Sequence, residues 1–577
     1  MRARSIITRV RGVTGFMAGN RNRSRLCHLV GMLQVAGLSC LCLARLQAAP
    51  IRAHPANPHY FEFRGQPTLL ITSAEHYGAV INPDFDWERY LQTLARDGMN
   101  YTRGFAGSYV EGEQDIGWML SSNTLAPRPG KLLAPWARSD VAGYHNGGNK
   151  FDLDRWDDRY FARLKGFVRS AGQKGVVVEI TLFGNQYGDS QWAHSPLKAS
   201  NNIQAIGGRW EDFQTLRDPP LTRRQADMVR KIVTELRDAD NVIYEISNEP
   251  FNNGVDPTAV NEWHRHLAAV IAKEEQALGV KHLVAANEAV HDDPNVSMLN
   301  WHYVANLARL DDEYALGKPI VLDETNGSLI HAGVDDVRVE AWEWICGGGA
   351  GYNNLSWEFT PNDPTGAAGA TVRRQLKVLR EFASTLDFVR MKPAPEIISR
   401  PLADGVFARA LVEPGRTCWI YLHHSRHRKY GTFVTGYEAQ PGTHRDSLEL
   451  ALPPSRYQMQ WFRPRDGTLL REDRVKHEGA KLRLASPDSA DADITAVIRS
   501  EPTTATGSIE PGTDIQAVVD ANPAGTTYRL GSGIHRLQSV VPKSQPNRRG
   551  SDLPNNPQGS DRPETASIIG SDFDSAP

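Results

Sequence analysis

Two glutamates stand where short β-rich runs end. Glu249 closes Val242-Ile243-Tyr244-Glu245-Ile246-Ser247-Asn248-Glu249-Pro250, and Glu324 closes Pro319-Ile320-Val321-Leu322-Asp323-Glu324. Two carboxyl groups facing each other across a cleft are what cleavage of a glycosidic bond requires: one protonates the leaving oxygen while the other attacks or supports the sugar cation. Asn-Glu-Pro alone is a common tripeptide that ends strands in many proteins, so the weight falls on the elements that place the two acids.

From Thr68 to about Leu386 the chain alternates apolar, β-rich runs with longer stretches of helical period. The strands expected are Leu69 to Ser73, Asn100 to Phe105, Val176 to Phe183, Val242 to Ser247, His282 to Ala286, Met298 to Tyr303, Ile320 to Asp323 and Tyr352 to Trp357. Between them Trp87, Tyr90, Leu91, Leu94 and Ala95 share one helix face, with Gly98 where a left-handed cap belongs. Phe161, Leu164, Phe167, Val168 and Ala171 repeat the pattern before Gly172. Near-continuous apolar strands separated by amphipathic helices predict a parallel sheet, and eight such units fit a closed barrel. An open dinucleotide-binding sheet would need a glycine fingerprint after the first strand, and none follows Leu69 to Glu75. The Gly347 to Gly351 run precedes a strand and reads as a tight turn. In a barrel Glu249 and Glu324 end strands four and seven, on opposite sides of the mouth.

The fold class is therefore α/β: a (β/α)8 TIM barrel over residues 50–392, then a small all-β sandwich at 393–500. The sandwich is read from Val406 to Val412, Cys418 to Leu422, Leu448 to Leu452, Tyr457 to Phe462 and Ile494 to Ile498. Residues 501–577 read as a low-complexity tail, disordered or a truncated β-helix. Within it, 510–543 holds one helix-then-strand unit similar to the first turn of a pectate-lyase-like solenoid, too short to bury a core and expected to be poorly ordered. Ser544 to Pro577 has the composition of a disordered tail.

Composition narrows the partners. The 577 residues carry 65 Lys+Arg and 67 Asp+Glu, a balance of −2, so no excess positive charge is available for a nucleic acid or an anionic membrane. Residues 1–49 read as an export signal: arginines from Arg2 to Arg25 precede an acid-free apolar run, Leu26 to Leu43, with small residues near Ala48 for cleavage. The expected location is secreted or periplasmic, with no membrane attachment once the signal is removed. Cleavage removes Cys27, Cys40 and Cys42, leaving Cys346 and Cys418, too few for a disulfide framework or a zinc site.

Asn248-Glu249-Pro250 with a second glutamate ending strand seven resembles the clan of retaining glycoside hydrolases built on this barrel, above all the cellulase-like members related to glycoside hydrolase family 5. The resemblance covers Pro58 to roughly Asp387. It implies Glu249 as acid/base, Glu324 as nucleophile and Asn248 as the amide that bonds the hydroxyl beside the reacting carbon. It implies that Arg103, ending strand two, holds the nucleophile ionised, that Tyr303 on strand six lies at the nucleophile, and that Trp357 on strand eight is a platform for the sugar ring. The residue types suit these tasks: a guanidinium forks onto a carboxylate, and an indole face stacks on sugar C–H groups. The alternatives are Arg103 as a structural ion-pair partner and Trp357 as a core residue.

Several positions depart from the family pattern. Its strand-six histidine and tyrosine are one residue apart, whereas His302 and Tyr303 are adjacent and on a strand would point oppositely, which leaves open whether both reach the site. Its strand-three histidine is missing, and Asn185 or Gln186 could serve instead. Asp323 is an alternative to Glu324 as the working acid. Glu75 and His76, ending strand one, would face the cleft or form its wall, and Glu288 has no counterpart and is read as structural. Trp118, Trp136, Trp192 and Trp210 lie in long loops, where they extend a sugar cleft or anchor the loops.

The function expected is a secreted retaining glycoside hydrolase acting on a carbohydrate, a β-glycan in the cellulase manner, by double displacement with no metal or cofactor. Burial and the neighbouring negative charge should keep Glu249 protonated. Another glycosidase specificity, including the apiosidase-like one, is the alternative within the class. A non-catalytic glycan-binding surface protein is the alternative outside it, and would need no acid/base pair. The trailing β-domain is similar to a sandwich named for collagen binding, and its expected role is to pack on the barrel.

Overall fold

The computed structural model describes residues 49–530, except 113–122, 305–306, 326–332, 400, 431–432, 502–503, 510–511 and 522–526. The expected export segment up to residue 48, Trp118 and the tail beyond residue 530 lie outside the described residues.

Eight parallel strands form the first body: Leu70–Ala74, Tyr101–Phe105, Val177–Gly184, Val242–Asn248, Leu283–Asn287, Met298–His302, Ile320–Glu324 and Gly351–Leu355, strands one to eight below. Each pairs with its neighbour from strand two round to strand eight, and strand eight pairs with strand one in register Gly351 to Leu70. Strands one and two close the ring through Asn100, whose N–H donates to Ile71 O (3.3 Å) and whose Oδ1 accepts from Ile71 N–H (2.9 Å). The strands are buried along their whole length, which their apolar runs anticipate.

The covering helices start where sequence chemistry starts them. Asp86, Asp157, Asp218 and Asp256 each accept a backbone N–H of the first turn, in the helices Trp87–Arg96, Asp158–Gln173, Pro219–Leu236 and Pro257–Leu278. Gly98 takes the left-handed conformation expected of it, with φ +81°. Gly172, in contrast, lies inside its helix, where a Cβ would come within 2.9 Å of Asn241 Oδ1. The left-handed residue there is Gly175. A small sheet (Arg52–His54, Asn57–Phe63, Gln66–Thr68) and a hairpin (Trp136–Ala142 with Asn149–Trp156) were not expected, because their short, largely polar strands carry no continuous apolar run.

The second body is a β-sandwich. Its large antiparallel sheet runs Lys392–Pro393, Val406–Glu413, Thr417–Tyr430, Asp493–Ser500, Ser455–Phe462 and Leu469–His477, and Phe433–Ala439 pairs onto Thr417–Tyr430. A smaller sheet pairs Ser447–Leu450 with Leu482–Ala485, and Ile420, Leu450, Trp461, Leu482 and Ile494 fill the core. The outer face packs on the helix Val334–Cys346, which follows strand seven. Trp342 stacks on Tyr421 at 5.7 Å and shares one apolar cluster with Trp419 and Leu411. Cys346 and Cys418 are buried free thiols. Beyond the sandwich, Thr504–Ile509 pairs in parallel with Thr527–Leu530, with the helix Ile515–Ala521 between them. Among the described residues no helix is long and apolar enough to cross a membrane.

Candidate active site

Three consecutive strands end alike. Strands four, five and six finish on Asn248, Asn287 and His302, and the next residue adopts a left-handed backbone: Glu249 (φ 45°), Glu288 (φ 53°) and Tyr303 (φ 51°). Such a conformation costs a side-chain-bearing residue about 1 kcal/mol or more, so neighbours must hold it. Glu249 N–H donates to Asn287 Oδ1 (2.8 Å), and Tyr303 N–H donates to Glu324 O (3.1 Å). The turn brings both His302 and Tyr303 to the site, the point their adjacency in sequence left open. Strand six stops at His302, its register with strand seven slips between Trp301 and His302, and the chain folds so that both side chains reach the glutamates.

The carboxylates of Glu249 and Glu324 and the ring of His302 each bring one polar atom within 4.8 Å of the others. His302 Nδ1 lies 3.3 Å from Glu249 Oε1 and 3.8 Å from Glu324 Oε2, while Nε2 faces Asp323 at 3.5 Å. Tyr303 O–H donates to Glu324 Oε1, and Tyr187 O–H donates to Glu249 Oε2. Arg103, wholly buried, donates from Nη1 to Glu324 Oε2 (3.3 Å) and from Nη2 to Asn248 Oδ1 (3.1 Å) and Glu245. Its Nε is 3.1 Å from Asp323 and 3.9 Å from Glu179, and its guanidinium lies over the Tyr77 ring.

Burial would lower the His302 pKa, but Glu324, Asp323 and Glu249 raise it well above the ordinary histidine value, so the ring is an imidazolium among three acids. Burial raises the Glu324 pKa, helped by Glu249, against the pull of His302, Arg103 and Tyr303. Burial would also raise Glu249, yet the hydrogen bonds from His302, Tyr187 and Asn252 bring it below the usual carboxylate value. These hydrogen bonds work against the expectation that the surroundings keep Glu249 protonated. His302 stands nearer to Glu249 than to Glu324. Below them Glu179, raised to about 8 by burial and by Glu245 and Asp323, holds its proton at neutral pH. Its oxygens accept from Tyr101 O–H (2.5 Å) and Asn300 Nδ2 (2.6 Å).

The remaining expected residues divide. Glu75 does not face the cleft: it is fully buried and accepts the N–H groups of Gly78 (3.1 Å) and Ala79 (3.2 Å) and the Thr124 hydroxyl, anchoring the loop after strand one. His76 bonds Glu111 through Nε2 (2.8 Å) and stacks on Trp357 at 4.2 Å, so the two rings form one wall. Asn185 Nδ2 donates to Glu249 O (2.9 Å), and its Oδ1 accepts from Asn253 (2.5 Å), which makes it a backbone brace for the acid. Gln186 folds onto its own loop at Gly184 O (3.4 Å). Trp136 and Trp192 are core residues, and Trp210 packs against the core. Glu288 is half-buried, and its carboxyl, raised by burial, senses His302 and Glu249. Sequence reasoning overlooked Tyr187, Glu179 and Glu245. The last two carried a signal, since an acid inside an apolar strand needs a buried partner; Tyr187 carried none.

Two sets, Glu245–His302–Asp323 and Glu249–His302–Glu324, have a spacing that could hold a cation. Arg103 and the His302 imidazolium already supply positive charge among these acids.

Residues 136–304 match the model of the family Cellulase (glycosyl hydrolase family 5). That stretch holds Tyr187, Asn248, Glu249, His302 and Tyr303, while Arg103, Glu324 and Trp357 lie on either side of it. No curated protein matches the chain significantly. Among solved structures, a glycoside hydrolase superposes with TM-score 0.51 at 12% identity over 78% of this chain and 97% of its own. A family 5 glycoside hydrolase from Bacteroides vulgatus does so with TM-score 0.52 at 12% identity over 78% and 94%. These likenesses bear on the fold. The resemblance to glycoside hydrolase family 5 rests on the family model, and the protein is a glycoside hydrolase.

Proposed function

We propose that the protein is an exported retaining glycosidase that cleaves a β-glycan by double displacement, with Glu324 as nucleophile and Glu249 as acid/base. The observation that carries this reading is the approach of the two carboxylates within 4.8 Å across the mouth. That nearest-oxygen approach suits the short carboxyl separation of retaining enzymes, about 5 to 5.5 Å, better than the wider gap that admits a water for inversion. Arg103 and Tyr303 both donate to Glu324, which suits a carboxylate that must attack while ionised.

In the first step an oxygen of Glu324 bonds the anomeric carbon as the bond to the leaving oxygen breaks, and Glu249 gives that oxygen its proton. Glu249 must therefore carry a proton when the bond breaks. His302 Nδ1 stands 3.3 Å from Glu249 and can supply it, while Arg103 and Tyr303 hold the nucleophile ionised. In the second step Glu249, now deprotonated, draws a proton from water, which attacks the anomeric carbon and frees Glu324. Trp357, offered by the resemblance as the sugar platform, stacks on His76 and lies in the buried core cluster. Incubation with a panel of plant, bacterial and fungal polysaccharides, followed by sizing of the products, identifies the glycan. Glu249→Gln and Glu324→Gln should each reduce its turnover by orders of magnitude, and full activity in either would refute the assignment.

A further inference from the structure

Tyr187 lies outside every expectation drawn from the sequence, yet it touches the acid/base directly. It sits in the loop after strand three, 37% exposed, with its ring edge-on to Tyr109 at 6.1 Å. Its hydroxyl proton has a fixed direction. Arginine can only donate, so the bond from Arg103 Nη2 sets Asn248 with Oδ1 toward the guanidinium. The other end of that amide, Nδ2, donates to the Tyr187 oxygen (3.3 Å), and the phenol proton is left for Glu249 Oε2. The same guanidinium donates through Nη1 to Glu324. One arginine thus orients donors toward both glutamates, directly to one and through Asn248 and Tyr187 to the other.

We propose that Tyr187 is the positioning residue of the acid/base: it fixes one oxygen of Glu249 by a directed hydrogen bond, leaves the other to exchange a proton with His302, and lines the leaving-group side of the cleft. This rests on the reading of Glu249 as acid/base. Glu249 is faced by His302 and Tyr303 from strand six, Glu324 from strand seven, Glu288 from strand five, and Tyr109 and Tyr187 from the loops after strands two and three. Of these, His302 and Tyr187 hydrogen-bond to its carboxylate. A donor to a carboxylate favours the ionised form, so its loss raises the pKa of Glu249.

Tyr187→Phe removes the donor and keeps the ring. In the ligand-free variant, the carboxyl-carbon resonance of Glu249, assigned by its loss in Glu249→Gln, should titrate about one pH unit higher than in the unaltered protein. With the glycan selected by the panel, kcat/KM should fall about tenfold and its alkaline limb should move up by a similar interval. With a 2,4-dinitrophenyl glycoside of the same sugar, whose leaving group needs no proton, kcat/KM should stay within about twofold. An unmoved Glu249 titration, or an equal loss on both substrates with an unmoved limb, overturns the proposal and makes Tyr187 a cleft wall. The NMR measurement needs no substrate, and activity surviving in Glu249→Gln would refute the acid/base assignment itself, so the two failures are distinguishable.

Discussion

Arg103 and Arg338 are both buried, and their surroundings differ in kind. Arg338, on the helix after strand seven, meets the sandwich: Nε and Nη2 grip Asp493 at 2.9 to 3.1 Å, Nη1 reaches Gln375 (2.9 Å) and Asp335, and Tyr421 O–H completes Asp493 (2.9 Å). Every nitrogen of that guanidinium donates to a partner there, and both oxygens of Asp493 accept. Arg103, at the barrel mouth, stands among Glu179, Glu245, Asp323 and Glu324 with His302 as the second cation among the described residues, and Asp323 meets Arg103 Nε at 3.1 Å and His302 Nε2 at 3.5 Å without a well-aligned hydrogen bond to either. A balanced buried pair serves cohesion and an overcrowded one serves chemistry, because excess acids around few cations keep a proton movable.

Substitutions can break that contrast. The largest effect is expected from Arg103→Lys, which keeps the charge and loses the fork that holds Glu324, Asn248 and Glu245 together. Steady-state assays should show kcat/KM down by about a thousandfold, with the melting temperature nearly unchanged. Asp493→Ala should do the reverse. It strands Arg338 in a dry interface at a cost of about 3 kcal/mol in denaturant unfolding, while the folded fraction keeps its turnover within about twofold. Asp323→Asn removes one of the crowded acids, so thermal stability should hold or rise while kcat/KM falls about tenfold through weaker orientation of His302 and Arg103.

The smallest effect concerns Glu340, on the same helix as Arg338, which accepts Tyr352 O–H at 2.7 Å and is raised by burial to about 7. A raised folded pKa means that this group's contribution is fully present below the unfolded value near 4.5 and is lost as the pH climbs through 7. Glu340→Gln imitates the protonated form. Its melting temperature should therefore exceed that of the unaltered protein by about 1 to 3 °C at pH 8, with the difference fading below pH 5.

The contrast also separates what the sequence discloses from what it hides. The eight strands are legible because each is an apolar run bounded by helical period, and Glu249 and Glu324 are legible because they end two of them. The sandwich strands are legible by alternation, although Phe433–Ala439 is interrupted by Gly436 and Leu469–His477 is mostly charged. Illegible parts depend on backbone detail. Adjacent His302 and Tyr303 reach one site only because the strand ends between them with a left-handed turn, and Glu75 leaves the cleft because two loop amides claim it. Tyr187 sits in a loop whose path follows no periodicity.

The central claim is a covalent intermediate on Glu324. A 2-deoxy-2-fluoro glycoside with a good leaving group, matched to the sugar found in the panel, should slow breakdown of that intermediate enough for mass spectrometry of the digested protein. The account predicts one glycosyl unit on the peptide bearing Glu324, absent from Glu324→Gln. An adduct on Asp323, or no adduct together with product of inverted anomeric configuration, would contradict it.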